Sequence, residues 1–133
     1  MKAYISISYS KRQELDNELS AIIELLKRYN IDSFVFVDMF KFSPDEEKEM
    51  MKQSMNCIDE CDLLIAETSD KAIGIGVEVG YAKAKGKPVI YLRNNNAAHS
   101  TTVSGIGDFK IIYNHLYDLQ GQLAIIIQKI TSQ

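Results

Sequence analysis

Cysteine, charge of one dominant sign and long apolar runs are all scarce in this chain. Its only two cysteines, Cys57 and Cys61, lie four apart with no histidine nearby. A metal site is therefore not expected, and the pair reads as reduced thiols packed as small apolar residues. Eighteen acidic residues against fifteen basic ones leave a net charge of −3, which gives no electrostatic reason to expect nucleic acid or an anionic membrane as a partner. No apolar run approaches membrane-spanning length, and the N-terminus lacks the long hydrophobic region of a signal peptide, so a cytoplasmic protein is expected. Repeats, linkers and low-complexity segments are missing as well.

Three signatures of common functions are also absent. A dinucleotide site wants Gly-x-Gly-x-x-Gly after the first strand, where this chain has Ser-Ile-Ser-Tyr-Ser over positions 6–10, so a classical NAD dehydrogenase is not expected. No P-loop occurs. The acidic cluster of a phospho-acceptor receiver domain is missing from the end of the first strand.

What remains is the composition of an ordinary globular protein, 46% hydrophobic and 25% charged. A length of 133 residues suits one domain over residues 1–133, large enough to bury a core without staples. Strand-like alternation at Ala3–Ser8 opens the chain. Ser10 to Gln13 reads as a capping box, followed by a helix with Leu15, Leu19, Ile22, Ile23 and Leu26 on its buried stripe. Asn30 suits the C-cap region, Ser33–Val37 reads as a second strand and Asp38–Phe42 as a loop. A second capping box, Ser43-Pro44-Asp45-Glu46, opens a helix to about Glu60 whose apolar face holds Met50, Met51, Met55 and Ile58.

The centre of the chain is Asp62 to Leu92. Two apolar runs, Leu63–Ala66 and Val89–Leu92, flank a glycine-rich turn and one short helix, which makes a βαβ unit. Gly74 and Gly76 are expected at the strand-to-helix turn, free to take positive φ and to let a ligand approach the backbone. Gly86 followed by Lys87-Pro88 ends the helix. Glu78 is expected in the helix's first turn, where the positive end of the dipole keeps its carboxylate ionised. After a polar loop at Arg93–Gly107 come a last strand, Phe109–Tyr113, and a helix with Leu119, Leu123, Ile126, Ile127 and Ile130 on one face.

The βαβαβαβαβα order predicts an α/β three-layer αβα sandwich around a five-stranded parallel sheet, flavodoxin-like or Rossmann-like. The carboxyl ends of its strands gather Ser6–Ser10, Asp38, Thr68–Gly76 and the loop after Leu92 around one cleft. An ionised glutamate in such a cleft is a candidate nucleophile or general base.

The runs Asp62-Leu-Leu-Ile-Ala-Glu-Thr, Gly74-Ile-Gly-Val-Glu78-Val-Gly-Tyr-Ala and Gly86-Lys-Pro resemble the nucleoside 2-deoxyribosyltransferase family, including its 2′-deoxynucleoside 5′-phosphate N-hydrolase branch. The likeness runs from Tyr4 to Tyr113. It implies that Glu78 attacks the anomeric carbon of a nucleoside or nucleotide and displaces the base, with Tyr4 beside it. It implies further that Ser100 reaches the phosphate site of a neighbouring subunit in a homodimer. The candidate set is thus Glu78 and Tyr4 as catalytic groups and Ser6, Ser8, Ser54, Gly74, Gly76 and Ser100 as substrate-binding ones, with no metal and no cofactor.

The chain departs from the family where Ser54 stands for an aspartate near sugar and base, Ala72 for a serine, and Ser10 for an arginine. Lys11, Arg12 and Lys71 are the cations at hand to meet a phosphate. Thr131-Ser132-Gln133 does not match the transferase branch's C-terminal carboxylate, so hydrolysis is favoured over base exchange. Two alternatives stand beside this reading. One is a nucleotide-binding or signalling module of the same fold without chemistry, motivated by Ser54. The other is a TIR-like NAD glycohydrolase, suggested by the opening Tyr4-Ile-Ser-Ile-Ser-Tyr-Ser-Lys-Arg.

Overall fold

A computed structural model describes residues 1–132; Gln133, the last of the C-terminal positions weighed above, lies outside them. The strands are β1 (Lys2–Ile7), β2 (Asp32–Val35), β3 (Leu63–Glu67), β4 (Val89–Asn94) and β5 (Phe109–Tyr113). The helices are α1 (Asp16–Arg28), α2 (Phe36–Met39), α3 (Glu47–Glu60), α4 (Ile73–Ala84), α5 (Thr101–Ile106) and α6 (Leu116–Thr131). All strand pairings are parallel and the sheet order is β2-β1-β3-β4-β5. That is the flavodoxin-like order, whose switch point falls between β1 and β3.

Helices cover both faces, so the central strands are apolar on both sides. Side chains alternate along β1: Ala3, Ile5 and Ile7 join the core under α1 and α6, while Tyr4 faces the core under α3 and α4. Leu63 and Ile65 divide from Leu64 and Ala66 in the same way on β3. Ile65 and Leu64 are fully buried, and truncating either to alanine would cost about 2–5 kcal/mol. Among the described residues no helix is long and apolar enough to cross a membrane.

Two helices stop where the sequence says they should. Among the described residues, Asn30 (φ 56°) and Gly86 (φ 74°) are those with positive φ. Each closes a Schellman motif: Ile31 N–H donates to Leu26 O and Lys87 N–H to Ala82 O, both at 3.0 Å. The second capping box also forms, with Ser43 N–H donating to Glu46 Oε1 at 2.9 Å. Cys57 and Cys61 are buried free thiols, and burial pushes the Cys61 thiol up to about 11.

Several expectations need correction. Ser10 caps nothing: its hydroxyl lies 3.2 Å from that of Ser8, a short 3₁₀ turn spans Gln13–Leu15, and α1 starts only at Asp16. The second strand ends at Val35, because the chain turns into α2 at once, in place of the expected loop. The loop at Arg93–Gly107 contains β4's last residues and α5, whose N-cap is Ser100. Gly74 and Gly76 do not take positive φ, because α4 already begins at Ile73 and holds both in its first turn. For the same reason Glu78 falls in the second turn, where the dipole's influence has faded.

Candidate active site

The switch point between β1 and β3 is where three elements bring hydroxyls to one carboxylate. Tyr4 and Ser6, two apart on β1, share a face of the sheet. Ser54 lies on the buried stripe of α3 with Cys57 and Ile58. Glu78 stands on α4 next to the buried row Ile75, Val79 and Ala82, which fixes the helix against the sheet. Its Oε1 accepts from Ser6 Oγ at 2.8 Å, and its Oε2 accepts from Ser54 Oγ at 2.9 Å and from the Tyr4 hydroxyl. The hydroxyls of Tyr4 and Ser54 also lie 3.1 Å apart.

These contacts set the electrostatics. Burial pushes the Glu78 carboxyl above its ordinary value of 4.5, and the hydrogen bonds from Tyr4, Ser6 and Ser54 pull in the opposite direction. The outcome is a raised value, with burial as the largest influence. Burial, and then the nearby Glu78 charge, push the Tyr4 phenol far up as well, so it remains a hydroxyl that donates to the carboxylate.

Glu78 and Ser54 line a cleft of about 340 Å³. Its wall is aromatic: the Phe36 ring centroid lies 5.2 Å from Phe40 and 6.0 Å from Phe42, and Phe36 also stacks on Tyr4 at 6.5 Å. Met50 and Met51, from the apolar face of α3, are half-buried and line the same cleft. Gly74 lines it too, and a side chain there would meet nothing within 4 Å.

A second pocket of about 280 Å³ adjoins this one, sharing Ala72 and Ile75 with it. Lys71, Thr68, Gly76, Ser100 and Thr102 line it. It opens at the start of α4, whose N-cap Ala72 has no side-chain oxygen to offer the first helical N–H groups. The Ser100 hydroxyl accepts from Val103 N–H at 3.3 Å, as the cap of α5.

The structure thus brings Tyr4, Ser6, Ser54 and Gly74 together around Glu78, and puts Gly76 and Ser100 in the adjoining pocket. Ser8 joins neither group: its hydroxyl donates to Asp70 Oδ2 at 2.5 Å and is buried. Arg12 is spoken for, with Nε and Nη2 each 2.7 Å from the Asp38 carboxylate and Nη1 2.5 Å from Asp16. Lys11 lies 3.6 Å from Glu14. Of the three cations considered for a phosphate, Lys71 is the one that lines a pocket. The aromatic wall escaped the sequence reading, although four of the five phenylalanines fall at positions 34, 36, 40 and 42. Asp70, which holds Ser8, carried no pattern that would have marked it.

The sequence pattern of the nucleoside 2-deoxyribosyltransferase family matches residues 4–122. The chain belongs to this family. Two relatives carry the name 2′-deoxynucleoside 5′-phosphate N-hydrolase 1. The one from Thermofilum pendens is 34% identical over 61 residues, 44% of this chain and 43% of that protein. The one from Syntrophotalea carbinolica is 39% identical over 54 residues, 41% of this chain and 38% of that protein. The matches therefore span less than half the length of either relative.

Among solved structures, the Clostridium botulinum CMP N-glycosidase BcmB covers 94% of this chain and 99% of its own, with TM-score 0.67 and 24% identity. The 2-deoxyribosyltransferase of Bacillus psychrosaccharolyticus covers 90% of each chain, with TM-score 0.70 and 15% identity. At these identities the likeness is one of fold. In this member of the deoxyribosyltransferase family, the chemistry on offer is that of a partly buried carboxylate steadied by three hydroxyls at the side of an apolar cleft. Such a group can act as a nucleophile or accept a proton. Among the described residues no cluster of three or more histidine, cysteine, aspartate or glutamate side chains is placed to hold a metal ion.

Proposed function

We propose that this protein hydrolyses the N-glycosidic bond of a nucleoside or a nucleoside 5′-monophosphate, with Glu78 as the nucleophile. The observation that carries the reading is the anchored Glu78 carboxylate beside the Phe36, Phe40 and Phe42 wall. A flat nucleobase stacks on such a wall. With the base there, the sugar's anomeric carbon comes within reach of Glu78. A Glu78 oxygen forms a bond to that carbon as the bond to the base nitrogen breaks, the electron pair leaving with the base. Water then attacks the same carbon of the glycosyl ester, releasing the sugar and restoring the carboxylate. Oxocarbenium character in both steps is stabilised by the carboxylate, and Tyr4, Ser6 and Ser54 keep it oriented.

The adjoining pocket suits a 5′-phosphate. Lys71 supplies charge, Ser100 and Thr102 supply hydroxyls, and the start of α4 supplies N–H groups with no side-chain cap. A homodimer in which Ser100 serves the neighbouring site is part of this proposal, with Ser100's place beside its own chain's α4 as the arrangement it must compete with. A non-catalytic nucleotide-binding module is the second reading, favoured by one observation: a serine, not a second carboxylate, stands 2.9 Å from Glu78.

The test is base release from ribo- and deoxyribonucleosides, their 5′-monophosphates and NAD, with wild type and Glu78→Gln side by side. Release that Glu78→Gln abolishes supports the hydrolase. Binding of one compound without release of any base moves the assignment to the binding module, and turnover of NAD alone moves it to the NAD glycohydrolase.

A further inference from the structure

Apart from Glu78, Ser54 and Tyr9, every residue lining the Glu78 cleft is apolar or glycine. Ser54 is 2% exposed and its hydroxyl is bound to Glu78, so it offers a departing base no acidic proton. Tyr9 is 77% exposed at the mouth, and Tyr4 donates to Glu78. Phenols and alcohols are feeble acids in any case. Asp38 is held by Arg12, and Asp70 by Ser8, both outside the cleft. The same wall that stacks a base therefore offers it neither a proton nor groups that read its edge.

We infer that this site discriminates among nucleobases by how well each leaves without a proton, favouring substrates whose base has an acidic glycosidic N–H, such as uracils with electron-withdrawing 5-substituents, over cytosine, with adenine close to uracil. The inference rests on the glycosidase reading above. As the Glu78 oxygen bonds to the anomeric carbon, the C–N electron pair stays on the base nitrogen. The anion so formed takes its proton from water after it leaves. Negative charge developing against phenylalanine and methionine side chains finds little stabilisation, so the base itself must carry it.

A carboxyl at position 54 would change this. Two carboxylates 3 Å apart cannot both ionise freely, so one keeps a proton near neutral pH and becomes an acid. General acid assistance of this kind is worth about 10²–10⁴-fold.

The experiment measures single-turnover base release from uridine, its 5-methyl and 5-fluoro derivatives, cytidine and adenosine, each in the ribo and 2′-deoxy series and as nucleoside and 5′-monophosphate. The 4-nitrophenyl riboside and 2-deoxyriboside, each with and without a 5-phosphate, are the controls, because their leaving group needs no acid. Wild type should release 5-fluorouracil about tenfold or more faster than uracil, with adenine close to uracil and cytosine slowest. Ser54→Asp should raise cytosine release by about 10²-fold and flatten the series. Equal wild-type rates across the series, with Glu78-dependent cleavage of a nitrophenyl compound, overturn this inference alone. All four nitrophenyl compounds left intact overturn the glycosidase reading and this inference with it. Should Ser54→Asp fail to fold, the wild-type series decides; a folded variant with an equally steep series overturns the inference.

Discussion

The hydroxyl of Tyr4 donates to Oε2 of Glu78 across 74 residues of sequence, joining the first strand to the fourth helix at the switch point of the sheet. On the opposite face Tyr113 donates to Oε2 of Glu67 at 2.8 Å, while Ser69 N–H donates to Oε1 at 2.5 Å. Both pairs join a tyrosine to a glutamate that burial has pushed up. They differ in access: Glu67 is fully buried in the sheet, whereas Glu78 lines a cleft. Only the second can meet a substrate.

A pH profile follows from this. Glu78 must be ionised to attack, and burial raises its value above 4.5. The acid limb of kcat/KM is therefore expected above pH 4.5, with activity lost as pH falls through it. Ser6→Ala removes a hydrogen bond that favours the ionised form, so its acid limb should lie higher still. Profiles of the two proteins side by side check the direction.

Phe40→Ala takes away part of the stacking wall without touching the Glu78 hydrogen bonds. Stacking of a base on one aromatic ring is worth about 1–3 kcal/mol. The variant should raise KM roughly 5- to 150-fold and leave kcat less affected, as read by initial-rate kinetics.

Glu67 makes a prediction about stability. Its folded-state value is raised, so as pH rises the unfolded chain gives up this proton first and the folded state is progressively disfavoured. That penalty is absent below the unfolded value near 4.5 and complete above the folded one. The stability difference between Glu67→Gln and wild type should move in the variant's favour as pH rises from about 4 to neutrality. Urea unfolding at a series of pH values measures it.

Much of this architecture was legible because strands and caps are local. The alternation at Tyr4 and Ser6 put both on one face, and Asn30 and Gly86 marked helix ends that need positive φ. Two glycines misled: Gly74 and Gly76 read as a turn, yet α4 already begins at Ile73 and holds both in its first turn. Ser10 looked like a cap by spacing, but its hydroxyl lies beside that of Ser8, which Asp70 holds from 62 residues away. Glu78 was found by pattern, whereas the aromatic wall was not, because Phe36, Phe40 and Phe42 meet only once α2 folds the chain back. The raised value of Glu78 depends on burial, a tertiary property that local sequence does not carry.

Shared sites can be tested by mixing. In a dimer whose Ser100 serves the partner's site, a Glu78→Gln subunit paired with a Ser100→Ala subunit contains one intact site. Co-refolded mixtures should then regain activity that each variant lacks. Mixtures no more active than the sum of the two would assign Ser100 to its own chain's pocket.

The most direct measurement is mass spectrometry of the protein quenched in acid during turnover of a nucleotide that it cleaves, followed by peptide mapping. The account predicts a glycosyl adduct on the peptide carrying Glu78, absent from Glu78→Gln, which should also have lost about 10³-fold or more of the base release. Continued base release by Glu78→Gln with no adduct on that peptide in wild type would contradict it.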